Sequence, residues 1–270
     1  CFSFHEIGRE IMPILNVENL NKSFGGLKAV SDVNIYVKRG ELLGLIGPNG
    51  AGKTTIFNLL TGVYVPTTGV IELTGSDGRK VKIGGMKPYM TARHGLSRTF
   101  QNIRLFKSMT VLDNILVGMH KNVKYTLLEA IFRLPRYYKQ ESRFEEQAMH
   151  ILEVVGLAHK AQELAANLPY GEQRKLEIAR AIATGASVFF LDEPAAGMNP
   201  SETDELAGLI VSLKDEYDLT IILIEHDMKF VMGLCERIYV LDFGTIIAEG
   251  NPDEIKHNQR VIQAYLGEEA

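Results

Sequence analysis

One junction constrains this chain more than any other feature. The apolar run Leu42-Leu43-Gly44-Leu45-Ile46 passes straight into Gly47-Pro48-Asn49-Gly50-Ala51-Gly52-Lys53-Thr54, and a helical pattern over 53–61 follows. The loop fits G-x-x-x-x-G-K-[ST] and stands between a buried-type strand and a helix, the context in which that pattern carries a mechanism. Glycines let successive backbone N–H groups converge on phosphate oxygens. The helix adds the positive end of its dipole. The candidate phosphate-binding residues are therefore Gly47, Pro48, Asn49, Gly50, Ala51, Gly52, Lys53, Thr54 and Thr55. Lys53 supplies a point charge to the β- and γ-phosphates of ATP, and Thr54 offers a hydroxyl to Mg²⁺. The loop alone leaves kinases, GTPases, helicases and transport ATPases open. An Asn-Lys-x-Asp guanine reader is absent, which argues against a GTPase.

The rest of the chain alternates short strands with helices. Strand patterns fall at 14–20, 33–37, 42–46, 70–73 and 81–83, the last two around a turn at 75–78. From 110 to 164 the pattern is helical. Thr110-x-x-Asp113 reads as a cap for a helix to about 118, and helices at 125–134 and 141–155 follow. A helix at 172–183 comes next, then strands at 188–191, 220–224 and 238–241 interleaved with helices at 202–214 and 228–234 and a terminal helical stretch. Such alternation implies a parallel sheet. The predicted architecture is α/β, with a core over 12–100 and 165–270 and a helical insertion at 101–164. Residues 1–11 precede the first strand pattern and read as an extension outside the fold.

Bulk properties exclude some classes. The net charge of −4 over 270 residues gives no global attraction to nucleic acid or to an anionic surface. No run approaches the ~20 apolar residues that span a bilayer. Two cysteines, Cys1 and Cys235, make neither a disulfide framework nor a metal site. Two stretches, 79–107 and 124–143, mix basic and aromatic residues. A solvated face, or a docking surface for another protein, accounts for them better than a nucleic-acid reader does.

Further candidates follow the loop. In Val188-Phe189-Phe190-Leu191-Asp192-Glu193 an apolar strand ends in two carboxylates. Asp192 is placed to hold the Mg²⁺ shell, and Glu193 to take a proton from the attacking water. Ile221-Ile222-Leu223-Ile224-Glu225-His226 repeats the geometry, so His226 stands at the ligand-binding edge of an open sheet, within reach of a γ-phosphate. Gln101, both donor and acceptor, can touch Mg²⁺ and water where the core passes into the insertion. Leu168-Pro169-Tyr170-Gly171-Glu172-Gln173 is a loop opening a helix, a second anion site carried by Gly171 and Glu172. Two such sites in one chain suggest ATP held between two subunits.

Taken in order, the phosphate loop, Gln101, 168–173, Asp192-Glu193 and His226 resemble the nucleotide-binding subunits of ABC transporters, across nearly the whole chain. The resemblance implies a P-loop NTPase with a RecA-like parallel sheet, an N-terminal antiparallel β subdomain and an inserted helical subdomain. It also implies Phe24 as the aromatic that stacks on adenine; the competing reading is a hairpin-core phenylalanine. More narrowly, Arg98-Thr-Phe-Gln-Asn-Ile-Arg-Leu-Phe106, 170–180, Asp192-Glu-Pro-Ala-Ala-Gly-Met-Asn-Pro200, Ile224-Glu-His-Asp-Met-Lys229 and Ala264-Tyr-Leu-Gly267 resemble the larger ATPase subunit of branched-chain amino-acid importers. Urea and lipopolysaccharide relatives share much of this pattern, and a soluble ABC protein acting on ribosomes or DNA is a further alternative. The implied partners are a second ATPase subunit, two membrane permease subunits and, indirectly, a solute-binding protein, with the chain peripheral on the inner face of the plasma membrane. Two departures stand out. Pro169 replaces the serine usual in the signature, and Asn199 replaces an aspartate usual after Asp192-Glu193.

Overall fold

A computed structural model describes residues 13–75, 77–123 and 125–266; the expectation placed on 1–11 lies outside the described residues. The chain opens with a hairpin of β1 (Leu15–Phe24) and β2 (Leu27–Val37), then β3 (Leu42–Ile46), α1 (Lys53–Leu60), β4 (Thr68–Thr74), β5 (Lys80–Lys82), α2 (Pro88–Arg93) and β6 (Leu96–Arg98). Helices α3 (Val111–Met119), α4 (Leu127–Ile131) and α5 (Pro135–Val154) follow. The remainder is α6 (Tyr170–Ala183), β7 (Val188–Asp192), α7 (Pro200–Tyr217), β8 (Thr220–Ile224), α8 (Met228–Leu234), β9 (Arg237–Asp242), β10 (Thr245–Gly250), α9 (Pro252–Lys256) and α10 (Gln259–Leu266).

Two sheets result. One is antiparallel, in the order β2-β1-β4-β5, and the other is six-stranded, in the order β10-β9-β3-β8-β7-β6. In the second sheet β9, β3, β8, β7 and β6 run parallel, and only β10 is antiparallel. Every residue of β3, β7 and β8 is buried, which is why these strands read as continuous apolar runs. Their side chains alternate between two cores. Phe189, Leu191, Ile221 and Leu223 join α3, α5 and α6 on one face. Leu43, Leu45, Phe190 and Ile222 join α1 and the antiparallel sheet on the other. The fold class expected from the sequence is borne out, with α3 to α5 as the helical insertion.

Several elements differ from expectation. The helix expected over 125–134 is only Leu127–Ile131, because Arg133 takes a positive φ of 47° and Pro135 starts a new helix. That helix, α5, therefore begins six residues earlier than the expected 141 (141 − 135). The stretch read as basic surface holds α2 and the three-residue β6. β10 was not expected; Phe243 and Gly244, both at positive φ, turn the chain back on β9. These elements are too short, or too mixed, to show a clear period.

Candidate functional site

Four adjacent parallel strands, β3, β8, β7 and β6, end at the same edge of the sheet. That edge therefore gathers the phosphate loop after β3, Glu225-His226 after β8, Asp192-Glu193 at the end of β7, and the segment to Gln101 after β6. Residues separated by more than a hundred positions become neighbours through strand order alone.

The loop is shaped by close backbone approach. A Cβ on Gly47 would lie 2.0 Å from the Leu241 carbonyl oxygen, and one on Gly52 would lie 2.8 Å from that of Ala29. Both glycines also hold positive φ, at 151° and 103°. Gly52 caps α1 without a side-chain acceptor, and the first turn of α1 carries no acid, so no carboxylate opposes an incoming anion there. Lys53 is buried and donates from Nζ to the carbonyls of Gly47, at 2.5 Å, and Pro48, at 2.8 Å. Thr54 is exposed beside it.

The structure brings Gln101, Glu193 and His226 together. Gln101 Nε2 donates to Glu193 Oε2 at 2.7 Å, and His226 Nε2 lies 2.5 Å from Glu193 Oε1. Glu193 takes a left-handed φ of 47°, and its N–H donates to the Ile224 carbonyl. Strain at a non-glycine residue is commonly kept where a side chain must be aimed. Beneath it, buried Glu225 accepts from the N–H groups of Ala195, at 2.7 Å, and His226, at 3.0 Å. Burial pushes the Glu225 carboxyl above its ordinary value, and the two N–H bonds pull the other way.

Asp192 is held by a residue not singled out from the sequence. Arg98 Nη2 donates to Asp192 Oδ2 at 2.6 Å with both side chains nearly buried, while Nη1 donates to Asn58 Oδ1 of α1 at 2.7 Å. Arg98 thus ties the helix after the phosphate loop to the carboxylate at the end of β7. Arg174 and Glu177 of α6 were also missed. Arg174 Nη1 and Nη2 donate to the carbonyls of Phe100 and Gln101 at 2.7 and 2.8 Å. Glu177 pairs with Arg174 at 2.8 Å and accepts from Arg104 N–H at 3.0 Å. The i, i+3 spacing of opposite charges was the available signal, but it reads equally as a solvent-facing pair.

The remaining candidates lie elsewhere. Gly171 stands in the first turn of α6, where a Cβ would meet Glu202 of α7 at 3.6 Å. Tyr170 Oη donates to the Ala196 carbonyl at 3.0 Å. Glu172 receives two hydrogen bonds from Lys160 Nζ, at 2.7 and 2.6 Å. These neighbours lie outside 47–55, where Gly47 and Gly52 approach Leu241, Ala29 and Gly244. Phe24 is not in the hairpin core. It is 42% exposed, meets Tyr64 edge-on and carries Lys22 Nζ 4.8 Å above its ring. Neither departure lacks a local fit: Pro169 caps α6 in an extended conformation, and Asn199 caps α7 in a reciprocal box with Glu202.

A parallel sheet with a phosphate loop after one strand and paired carboxylates ending another defines a P-loop ATPase. The family described as ABC transporter matches residues 30–196, and the one described as branched-chain amino acid ATP-binding cassette transporter matches residues 245–270. This chain belongs to the ABC transporter ATP-binding family and is an ATPase of that family. It is 48% identical, over 95% of its length and 98% of the relative's, to the high-affinity branched-chain amino acid transport ATP-binding protein BraF of Pseudomonas aeruginosa. It is 32% identical, over 96% of its length and 99% of the relative's, to the lipopolysaccharide export system ATP-binding protein LptB of Haemophilus influenzae. Among solved structures it is similar to the ADP conformation of MJ1267, an ATP-binding cassette of an ABC transporter. That similarity has a TM-score of 0.80 and 32% identity over 95% of this chain and 99% of the other.

Proposed function

We propose that this chain is the energy-coupling ATPase of an importer for branched-chain amino acids, working as a dimer with a second ATPase subunit beneath two membrane permease subunits. The observation carrying the cargo is the 48% identity to BraF over 95% of the chain, against 32% to the lipopolysaccharide exporter subunit. No described helix is long and apolar enough to cross a membrane. The chain's place is peripheral, on the cytoplasmic face of the membrane, and a solute-binding protein delivers the cargo from the other side.

In this reading Lys53, the loop N–H groups and the start of α1 bind the phosphates of ATP, and Phe24 lies against the adenine. Thr54, Gln101 and Asp192 present hard oxygen donors, the chemistry Mg²⁺ selects, and Mg²⁺ typically takes one or two protein carboxylates plus phosphate oxygens. When bound it would neutralise charge on the β- and γ-phosphates. Glu193 accepts a proton from water, and Gln101 and His226, which already grip its two oxygens, orient that carboxylate. Gly171 and the first turn of α6 face the partner's nucleotide; within their own subunit their neighbours are Ala196 and Glu202 rather than the phosphate loop.

Glu193→Gln tests the assignment. It should retain ATP binding, lower turnover by about 10²- to 10⁴-fold, and trap an ATP-dependent dimer with the second ATPase subunit in size-exclusion chromatography. Wild-type turnover in this variant would remove Glu193 from the mechanism. Cargo is tested separately, by ATP-driven uptake of leucine, isoleucine or valine into vesicles holding the assembled complex and its solute-binding protein.

A further inference from the structure

The helical insertion exposes apolar side chains that the fold does not use. Leu128 and Ile131 of α4 and its C-cap residue Phe132 stand at i, i+3 and i+4, at 65%, 63% and 68% exposure. Leu134 and Tyr138, at the start of α5, are exposed as well. Single exposed apolar residues need no explanation, but five large ones within eleven residues, 128 to 138, form a patch. The patch sits on an ordered element. α4 packs on α5, Thr126 and Glu129 close a capping box, Tyr125 stacks edge-on against Tyr137, and Tyr125 Oη donates to Glu141 at 2.8 Å. The far end of α5 is anchored in the core through Ala148, Ile151 and Leu152.

Charge decides what covers such a patch. Residues 128–143 hold four cations, Arg133, Arg136, Lys139 and Arg143, against two acids, Glu129 and Glu141, for a net +2 in a chain of net −4. Both acids are engaged, Glu129 by its cap and Arg136, and Glu141 by Tyr125. Among the described residues Arg133, Lys139 and Arg143 are in no ion pair. Arg136, Lys139 and Arg143 repeat at i, i+3 and i+7 along α5 and line a cleft of about 690 Å³. Apolar side chains beside unpaired cations suit a bilayer interface, where lipid phosphates can meet each cation and tyrosine sits at headgroup level. A protein partner would have to supply a matching carboxylate for each cation it desolvated.

We propose that α4 and the first half of α5 form an interfacial foot that rests on an anionic lipid bilayer. Leu128, Ile131 and Phe132 enter the headgroup–acyl boundary, and Arg133, Lys139 and Arg143 meet lipid phosphates. The foot is separate from the nucleotide site and independent of which cargo the complex carries. An apolar and a basic signal together give the paired attachment that neither supplies alone.

Flotation of the full chain with phosphatidylglycerol-containing vesicles, against phosphatidylcholine vesicles, tests it. Binding should require the anionic lipid and weaken with salt. Phe132→Asp should lower it more than tenfold. Lys139→Gln with Arg143→Gln should lower it by roughly 25-fold, at about fivefold per cation, with fluorescent-ATP binding unchanged in every variant. The chain contains no tryptophan, so Phe132→Trp gives a single reporter whose emission should shift to the blue only on anionic vesicles. The proposal is overturned by equal binding to both vesicle types, or by variants that float like the wild type. It is equally overturned if the variants lose a copurifying permease in detergent while keeping vesicle binding, which would make the patch a protein-docking face.

Discussion

At the residue scale, the candidate site depends on side chains whose partners lie far away in the sequence. The gathering of Glu193, Asp192 and His226 at one sheet edge was legible because each follows or ends an apolar strand, and strand ends in open α/β sheets collect ligands. Arg98 and Glu225 were not, since an arginine 94 residues before Asp192 and a glutamate beside His226 reveal nothing until β6, β7 and β8 are placed side by side. Glu225 carries a pH prediction. Its carboxyl is 4% exposed and burial raises its pKa above 4.5, so the folded chain holds that proton more tightly than the unfolded chain. The stability it contributes is fully present below 4.5 and is lost as pH rises through the raised folded value. Glu225→Gln stays neutral and removes that slope. In thermal melts run upward from pH 4.5, the melting temperature of the variant relative to the wild type should climb with pH. A constant offset would show that Glu225 does not titrate differently in the two states.

At the element scale, helix termini explain both departures from the family pattern. Asn199 is as good an N-cap as aspartate, and its side chain accepts from Glu202 N–H at 3.0 Å while Glu202 accepts from Asn199 N–H at 2.9 Å. Pro169 is different. It caps α6 with φ −55° and ψ 157°, torsions natural to proline, but it offers no side-chain acceptor to the first turn. Pro169→Ser should therefore stabilise the chain by about 1 kcal/mol through the new cap. In the assembled complex it should also speed the site that uses this signature by about ten- to hundredfold, the worth of one charge-assisted hydrogen bond made in the transition state. Pro169→Ala separates the two effects, since it removes the ring without adding a hydroxyl. Equal turnover for Ser and Ala would rule out the hydroxyl argument. Such caps can be read from sequence, as Thr110-x-x-Asp113 was, because donor and acceptor lie three residues apart. β6 and β10 could not be, because a three-residue strand has no period and β10 forms only by pairing with β9.

At the scale of the whole molecule, the segment through Gln101 and the helix that opens with the signature are mechanically joined. Arg174 and Glu177, 0% and 2% exposed, grip the carbonyls of Phe100 and Gln101 and the N–H of Arg104, while Arg180 donates to the Arg104 carbonyl. Gln101 touches Glu193, so one run of contacts links that carboxylate to α6 through Arg174. The sequence showed the two motifs but not this clamp, which exists only once α6 packs beneath the loop. Arg174→Met should destabilise the chain by about 3–5 kcal/mol, because it strands Glu177 as a buried unpaired carboxylate. Arg174→Met with Glu177→Leu removes both charges, and replacing a buried pair by apolar side chains is often close to neutral. The double variant should therefore recover most of the lost stability in denaturant melts. It should still bind ATP, because the phosphate loop packs on Leu241, Ala29 and Gly244 rather than on α6. Its expected defect is in coupling, with permease and solute-binding protein stimulating its ATPase far less than they stimulate the wild type. A double variant that is stable, binds ATP and is stimulated normally would mean the clamp only shapes the fold, and that Gln101 signals to the signature by another route.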